Sequence, residues 1–165
     1  MSELDVACSA AAYQGMERLA AAAYPDEGCG VLVGRHASGR TEILAATAAR
    51  NLNTERSRDR YLMDPADILA AERQARLEDL EVVGFWHSHP DHPASPSQYD
   101  TDHAWTDYVY VICATTPDGT GDVNAFALTA VEYRAQRAQL LQGAGLQVGR
   151  RAYLKALPPC GDGRE

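Results

Sequence analysis

Cysteine is scarce in this chain of 165 residues: Cys8, Cys29, Cys113 and Cys160 are the only four, and no two of them form a Cys-x-x-Cys pair. That spacing excludes a zinc knuckle and a thioredoxin-like redox motif, and it fits a compartment in which thiols stay reduced. Cys29 and Cys113 stand in apolar runs and read as small core residues rather than nucleophiles. Basic charge is also short, with 15 Lys and Arg against 23 Asp and Glu and a formal net charge of -8. Such a balance opposes non-specific attachment to nucleic acid or anionic lipid, and a neutral or locally basic protein is the easier partner. No apolar run reaches the ~18 residues of a membrane span, and no apolar stretch follows basic residues at the start. Neither insertion nor secretion is indicated, so a soluble cytoplasmic protein is expected.

What the chain does have is enough apolar residue, 45%, to build one core at a length typical of one domain. Helices and strands alternate without internal repeats. Ser9 is placed to cap a helix whose Ala12, Met16, Leu19, Ala20 and Ala23 form an apolar stripe ending before Pro25. Strands are expected over 29–35 and 41–48, paired as a hairpin through Ser38 and Gly39. Residues 51–60 are polar and read as a loop, whose Arg56, Arg58 and Arg60 are either solvated or a substrate-binding edge. Asp64 followed by Pro65 starts a helix that buries Ile68, Ala71 and Ala75 and runs to about residue 79. Further strands are expected over 81–89, 108–114 and 123–133, with a weak one over 146–154. This order predicts a single α/β domain whose sheet is packed by helices. It spans 1–155, and the Pro- and Gly-rich residues 156–165 read as a loose tail.

The chemistry concentrates in the run from His87 to Asp100. If 81–89 is a strand, as Val82, Val83, Phe85 and Trp86 suggest, His87 and His89 project from one face and Ser88 from the other. Ser95, Pro96 and Gln98 have the form of a capping box that opens a short helix. Ser97 and Asp100 then lie one turn apart on one face. Two imidazole nitrogens and a carboxylate oxygen suit Zn²⁺, and three protein ligands leave the fourth position open, which implies catalysis rather than scaffolding. A His-x-His pair alone is more often structural, and the Ser97 and Asp100 spacing is what changes that reading. His92 and His103 flank the run and read as surface residues.

This pattern of His-Ser-His, seven residues, Ser, two residues and Asp resembles the JAMM motif of the MPN+ metalloproteases at every defined position. The segment from Tyr24 to Gly34 resembles the upstream part of the same family, in which a glutamate precedes a hydrophobic strand, and Glu27 takes that place. The likeness extends from about residue 16 to about 128 and is greatest to the short bacterial members. It implies an MPN domain with a mixed sheet packed by helices, Zn²⁺ held by His87, His89 and Asp100, Glu27 as proton shuttle and Ser97 as oxyanion donor. It also implies cleavage after the C-terminal glycine of a ubiquitin-like or sulfur-carrier protein, the slim Gly-Gly tail lying along a sheet edge beside the metal. The alternative within the family is a non-catalytic MPN scaffold, against which the intact ligand set argues. A zinc nucleobase deaminase requires His-x-Glu and Pro-Cys-x-x-Cys, and neither occurs.

Overall fold

The computed structural model describes residues 6–37, 39–105, 107–127 and 153–156. Along the chain these form β1 (Val6–Cys8), α1 (Ala10–Ala23), β2 (Cys29–Ala37), β3 (Arg40–Ala49), α2 (Pro65–Leu77) and β4 (Glu81–Pro90). There follow α3 (Gln98–His103), β5 (Val109–Thr116), β6 (Gly119–Ala127) and β7 (Tyr153–Ala156). The strands make one seven-stranded sheet in the order β1-β3-β2-β4-β5-β6-β7. β1 runs parallel to β3 and β4 parallel to β5, while the other neighbours are antiparallel. The sheet is therefore mixed, as expected, and β1 is a strand too short for its sequence to signal.

Local chemistry sets the helix ends. The Ser9 side chain accepts the Ala12 N–H at 3.1 Å and begins α1, and the chain leaves this helix at Tyr24, before Pro25. Asp64 accepts the Ala66 N–H at 2.9 Å with Pro65 at the first helical position, and α2 stops at Leu77, slightly short of the expected end. Beyond Ala127 the strand expected over 123–133 passes outside the described residues, as do most of the expected strand 146–154 and residues 157–165 of the expected tail.

Each face of the sheet is covered by one long helix. Against α1 lie Leu32, Ile43, Trp86, Val111 and Ala125, packed on Ala12, Met16 and Ala20. Trp86 is almost fully buried and donates its indole N–H to the Thr47 carbonyl at 2.8 Å. This indole crosses β2 so closely that a Cβ on Gly30 would stand 2.3 Å from its nitrogen and 1.7 Å from the Thr47 oxygen. Glycine is required there by space. The opposite face carries Cys29, Val31, Val33 and Phe85 beneath Ala71 and Ala75 of α2. Cys8, Cys29 and Cys113 are buried, and burial pushes the Cys29 and Cys113 thiols up to about 12, so both are core residues as expected. No described helix is long and apolar enough to cross a membrane.

Candidate metal centre

β4 is the element that divides structure from chemistry, because alternate side chains of a strand leave on opposite faces. Trp86 and Ser88 enter the α1 side, where the Ser88 hydroxyl accepts the Gly28 N–H at 2.8 Å. His87 and His89 leave on the α2 side. β2 runs antiparallel to β4 with Cys29 opposite His87, so the start of β2 lies at the end of β4. That crossing brings Glu27 to the two histidines. The chain then reverses at Asp91, whose φ is 57° and whose N–H donates to the Thr115 carbonyl at 2.7 Å. Through Pro93 and Pro96 it reaches α3, which delivers Asp100.

The helix start differs from the expected one. Ser97, not Ser95, is the cap: its hydroxyl oxygen accepts the Asp100 N–H at 3.0 Å, and the Asp100 carboxylate accepts the Ser97 N–H at 2.9 Å. A reciprocal box with Asp at the third position outcompetes the Ser95 and Gln98 pairing, because a carboxylate is the stronger acceptor for an N-terminal amide. The consequence is that Ser97 and Asp100 are locked to each other. Ser97 lies at the exposed rim, while the Asp100 side chain is only 10% exposed.

Three donor atoms converge. His87 Nε2 and His89 Nε2 are 3.1 Å apart, and Asp100 Oδ2 lies 3.2 Å from the first and 3.0 Å from the second. A tetrahedral zinc site with ligands at about 2.0–2.1 Å needs ligand atoms about 3.3–3.4 Å apart, so this triangle fits with shifts of a few tenths of an ångström. A second carboxylate stands behind it, with Glu27 Oε1 3.9 Å from His89 Nε2. Glu27, His87 and His89 place ligand atoms within 4.8 Å of one another, so Glu27 is within reach of the same ion. Asp100 is closer to both histidines and is the better ligand on geometry. His89 Nδ1 donates to the Pro93 carbonyl at 2.8 Å, which directs its Nε2 lone pair to the site. His87 Nδ1 is buried with no hydrogen-bond partner among the described residues.

Electrostatics separates the two carboxylates. Burial pushes Glu27 up to about 8, with His89 pulling the other way. For Asp100 burial acts in the same upward direction, but hydrogen bonds from His87 and His89 and from the Ser97 amide outweigh it and hold the group well below the usual carboxylate range. One carboxylate is a fixed anion and the other carries a proton near neutrality, the division expected of a ligand beside an acid–base group. Burial lowers His87, whereas the Asp100 and Pro93 hydrogen bonds overcome burial at His89 and raise it.

Tyr61 is a member of this site that sequence reading missed. Its ring stacks on His87 at 4.7 Å between centroids. It arrives on the polar loop after β3, whose arginines take separate tasks: Arg56 pairs with Asp59, and Arg60 lies over the Tyr99 ring at 4.4 Å. His92 and His103 are exposed, as expected, with His103 stacked on Tyr99. Beside Asp100 a cavity of about 710 Å³ opens between α2, α3 and β4, walled by Tyr61, Phe85, Tyr99, Trp105 and Tyr110. Among the described residues β4 lies between β2 and β5, with its β2 pairing ending at His87, so the strand that carries the histidines is an interior strand rather than an edge strand of the sheet.

Comparison with known proteins agrees with this architecture. A desampylase from Haloferax volcanii is 37% identical over 111 residues, covering 67% of this chain and 75% of that protein. A probable TtuB-protein conjugate cleaving protease from Thermus thermophilus is 35% identical over 104 residues, covering 63% of each chain. Among solved structures, a protein from Desulfitobacterium hafniense matches with a TM-score of 0.67 and 26% identity, covering 76% of this chain and 86% of that one. A Salinibacter ruber protein matches with a TM-score of 0.56 and 36% identity, over 72% of this chain and 78% of that one. Residues 9–129 match the family described as prokaryotic homologs of the JAB domain, and this chain belongs to that family.

Proposed function

We propose that this protein is a zinc-dependent amide or isopeptide hydrolase that cleaves after the C-terminal glycine of a ubiquitin-like or sulfur-carrier protein. The observation that carries the reading is the triangle of His87 Nε2, His89 Nε2 and Asp100 Oδ2 with the Glu27 carboxylate beside it. In this reading His87, His89 and Asp100 hold Zn²⁺. The ion supplies Lewis acidity at the scissile carbonyl and lowers the pKa of water from 15.7 to about 7. Glu27 takes the proton of the attacking water and delivers it to the departing amine, a task suited to a buried group that titrates near neutrality. Ser97 stands at the rim with its oxygen already accepting from Asp100, so its proton is available to the oxyanion that develops.

Support for the substrate class comes from relatives named as a desampylase and as a conjugate-cleaving protease. The aromatic cavity beside Asp100 offers a path over the sheet face for a slim tail, and glycine has no side chain to clash there. The reading includes no nucleic-acid or membrane partner, and its proposed setting is the cytoplasm. The scaffold alternative loses its motive when the donor set is complete. The test compares kcat/KM for a carrier adduct with that for the same adduct whose last glycine is changed to alanine or valine. The expected result is a large loss with either change. Equal rates would turn the reading into that of a general peptidase, and absence of stoichiometric zinc in the purified protein would remove it altogether.

A further inference from the structure

A histidine that ligates a metal normally has its second ring nitrogen held by a hydrogen bond, which sets the ring's direction. His89 meets this rule through the Pro93 carbonyl at 2.8 Å. His87 does not, since its Nδ1 is buried and has no partner among the described residues. Beside it lies a cavity of about 20 Å³, walled in part by Tyr61, His87, Ile112 and Phe126, which leaves the imidazole space to tilt. What lies flat against the ring is Tyr61, at 4.7 Å and an interplanar angle of 26°.

The backbone around Tyr61 is clamped from both sides by one residue. Asn51 donates through Nδ2 to the Arg60 carbonyl at 3.1 Å and accepts the Leu62 N–H at Oδ1 at 2.9 Å. Leu52 N–H donates to the Leu62 carbonyl at 2.8 Å. The same Asn51 Nδ2 reaches the Glu27 carbonyl at 3.4 Å, so the loop spans from the proposed base to the proposed ligand. A ring held this firmly can fix its neighbour.

We infer that Tyr61 is a positioning residue for the metal centre, holding the His87 imidazole in its ligating direction by ring stacking where His89 relies on a hydrogen bond. The inference rests on the metal-centre reading above. It makes the aromatic ring, not the hydroxyl, the operative part.

The experiment uses the full chain stripped of metal, with Tyr61→Phe, Tyr61→Leu, Tyr61→Met and Arg60→Ala. Zn²⁺ affinity is read by competition with a chromophoric chelator, and the Co²⁺-loaded protein is read by its d–d absorption. Tyr61→Phe should stay within about twofold of the parent, whereas Leu and Met should weaken binding ~10- to 100-fold and alter the Co²⁺ spectrum. Arg60→Ala, which removes the contact with Tyr99 but keeps the backbone bonds of Asn51 and the stack, should bind like the parent. Parent-like affinity in Leu or Met overturns the inference, as does a Phe variant as weak as Leu or an Arg60→Ala variant as weak as both. Leu and Met variants that both fail to fold by circular dichroism would make Tyr61 a core residue and overturn it too. If the parent itself binds neither metal, the proposed function falls first, and that outcome is distinct from a parent that binds while Tyr61 proves irrelevant.

Discussion

The two faces of β4 compare two uses of one strand. On the α1 side Trp86 is sealed against Gly28, Gly30 and the Thr47 carbonyl, and space there is so tight that a single added carbon collides. On the α2 side His87 and His89 meet two carboxylates, a loop tyrosine and an aromatic cavity. The first face spends its residues on close packing and so holds the second rigid. Pre-organised ligands need that support, because misplacement of a reacting group by about 1 Å costs on the order of 10²-fold in rate. The contrast predicts that substitutions on the α2 face change chemistry at little cost in stability, whereas those on the α1 face do the reverse.

The largest effect is expected from Glu27→Gln, which removes the proposed proton acceptor while nearly keeping its size. Turnover should fall ~10²- to 10⁴-fold with zinc stoichiometry retained. His87→Ala and Asp100→Ala should lose metal and activity together, and elemental analysis alongside kinetics separates the two classes. Full zinc content in both of these variants would show that the ligands lie elsewhere.

Next comes Ser97→Ala, for which kcat should drop on the order of 10²- to 10³-fold if the hydroxyl stabilises the oxyanion. The helix cap is lost as well, so a melting curve should show a cost of about 0.5–2 kcal/mol. Zinc release matching the activity loss would instead make the serine a support for Asp100 alone.

On the other face, Gly30→Ala should destabilise the protein by on the order of 3 kcal/mol, since the β-carbon meets backbone and a buried indole that cannot retreat. Thermal melting should fall by roughly 10 °C, while kcat of the folded fraction stays near that of the parent. A Gly30→Ala variant that is stable but inactive would break the division between faces.

The remaining test is a pH dependence, which is spread over several pH units. In the metal-free protein folded Glu27 keeps its proton to about 8, against an ordinary value of 4.5. Between those values the folded state binds the extra proton, so rising pH weakens the fold, with a slope of at most about 1.4 kcal/mol per pH unit. Glu27→Gln has no such proton. Melting the parent and the variant from pH 5 to 8 should show the parent losing stability relative to the variant, and parallel curves would mean that Glu27 is not desolvated as described.

Some of this was legible in the residues because its causes are local. Period-2 alternation puts His87 and His89 on one face, a turn separates Ser97 from Asp100, and Ser9 and Asp64 announce their helices. The metal-ligand pattern and the JAMM likeness followed from those spacings. Other readings failed where two local options competed or where a neighbour decided. Ser95 could cap a helix as well as Ser97 could, and only the reciprocal Asp100 contact selects between them. The interior place of β4, between β2 and β5, is likewise set by pairing with distant strands rather than by any local pattern.

What the sequence determined by itself is thus the set of reactive groups and the short elements that carry them, because those depend on contacts a few residues apart. Tertiary structure alone supplied the physical difference between groups that the sequence writes alike. Glu27 and Asp100 are the same functional group on the sequence, and only burial at the first and the histidine hydrogen bonds at the second push one up to about 8 and hold the other well below the usual carboxylate range. Tyr61 meets His87 only because the loop after β3 folds over the end of β4 and Asn51 clamps it there. Desolvation and stacking act between residues distant in the chain, so no local pattern encodes them.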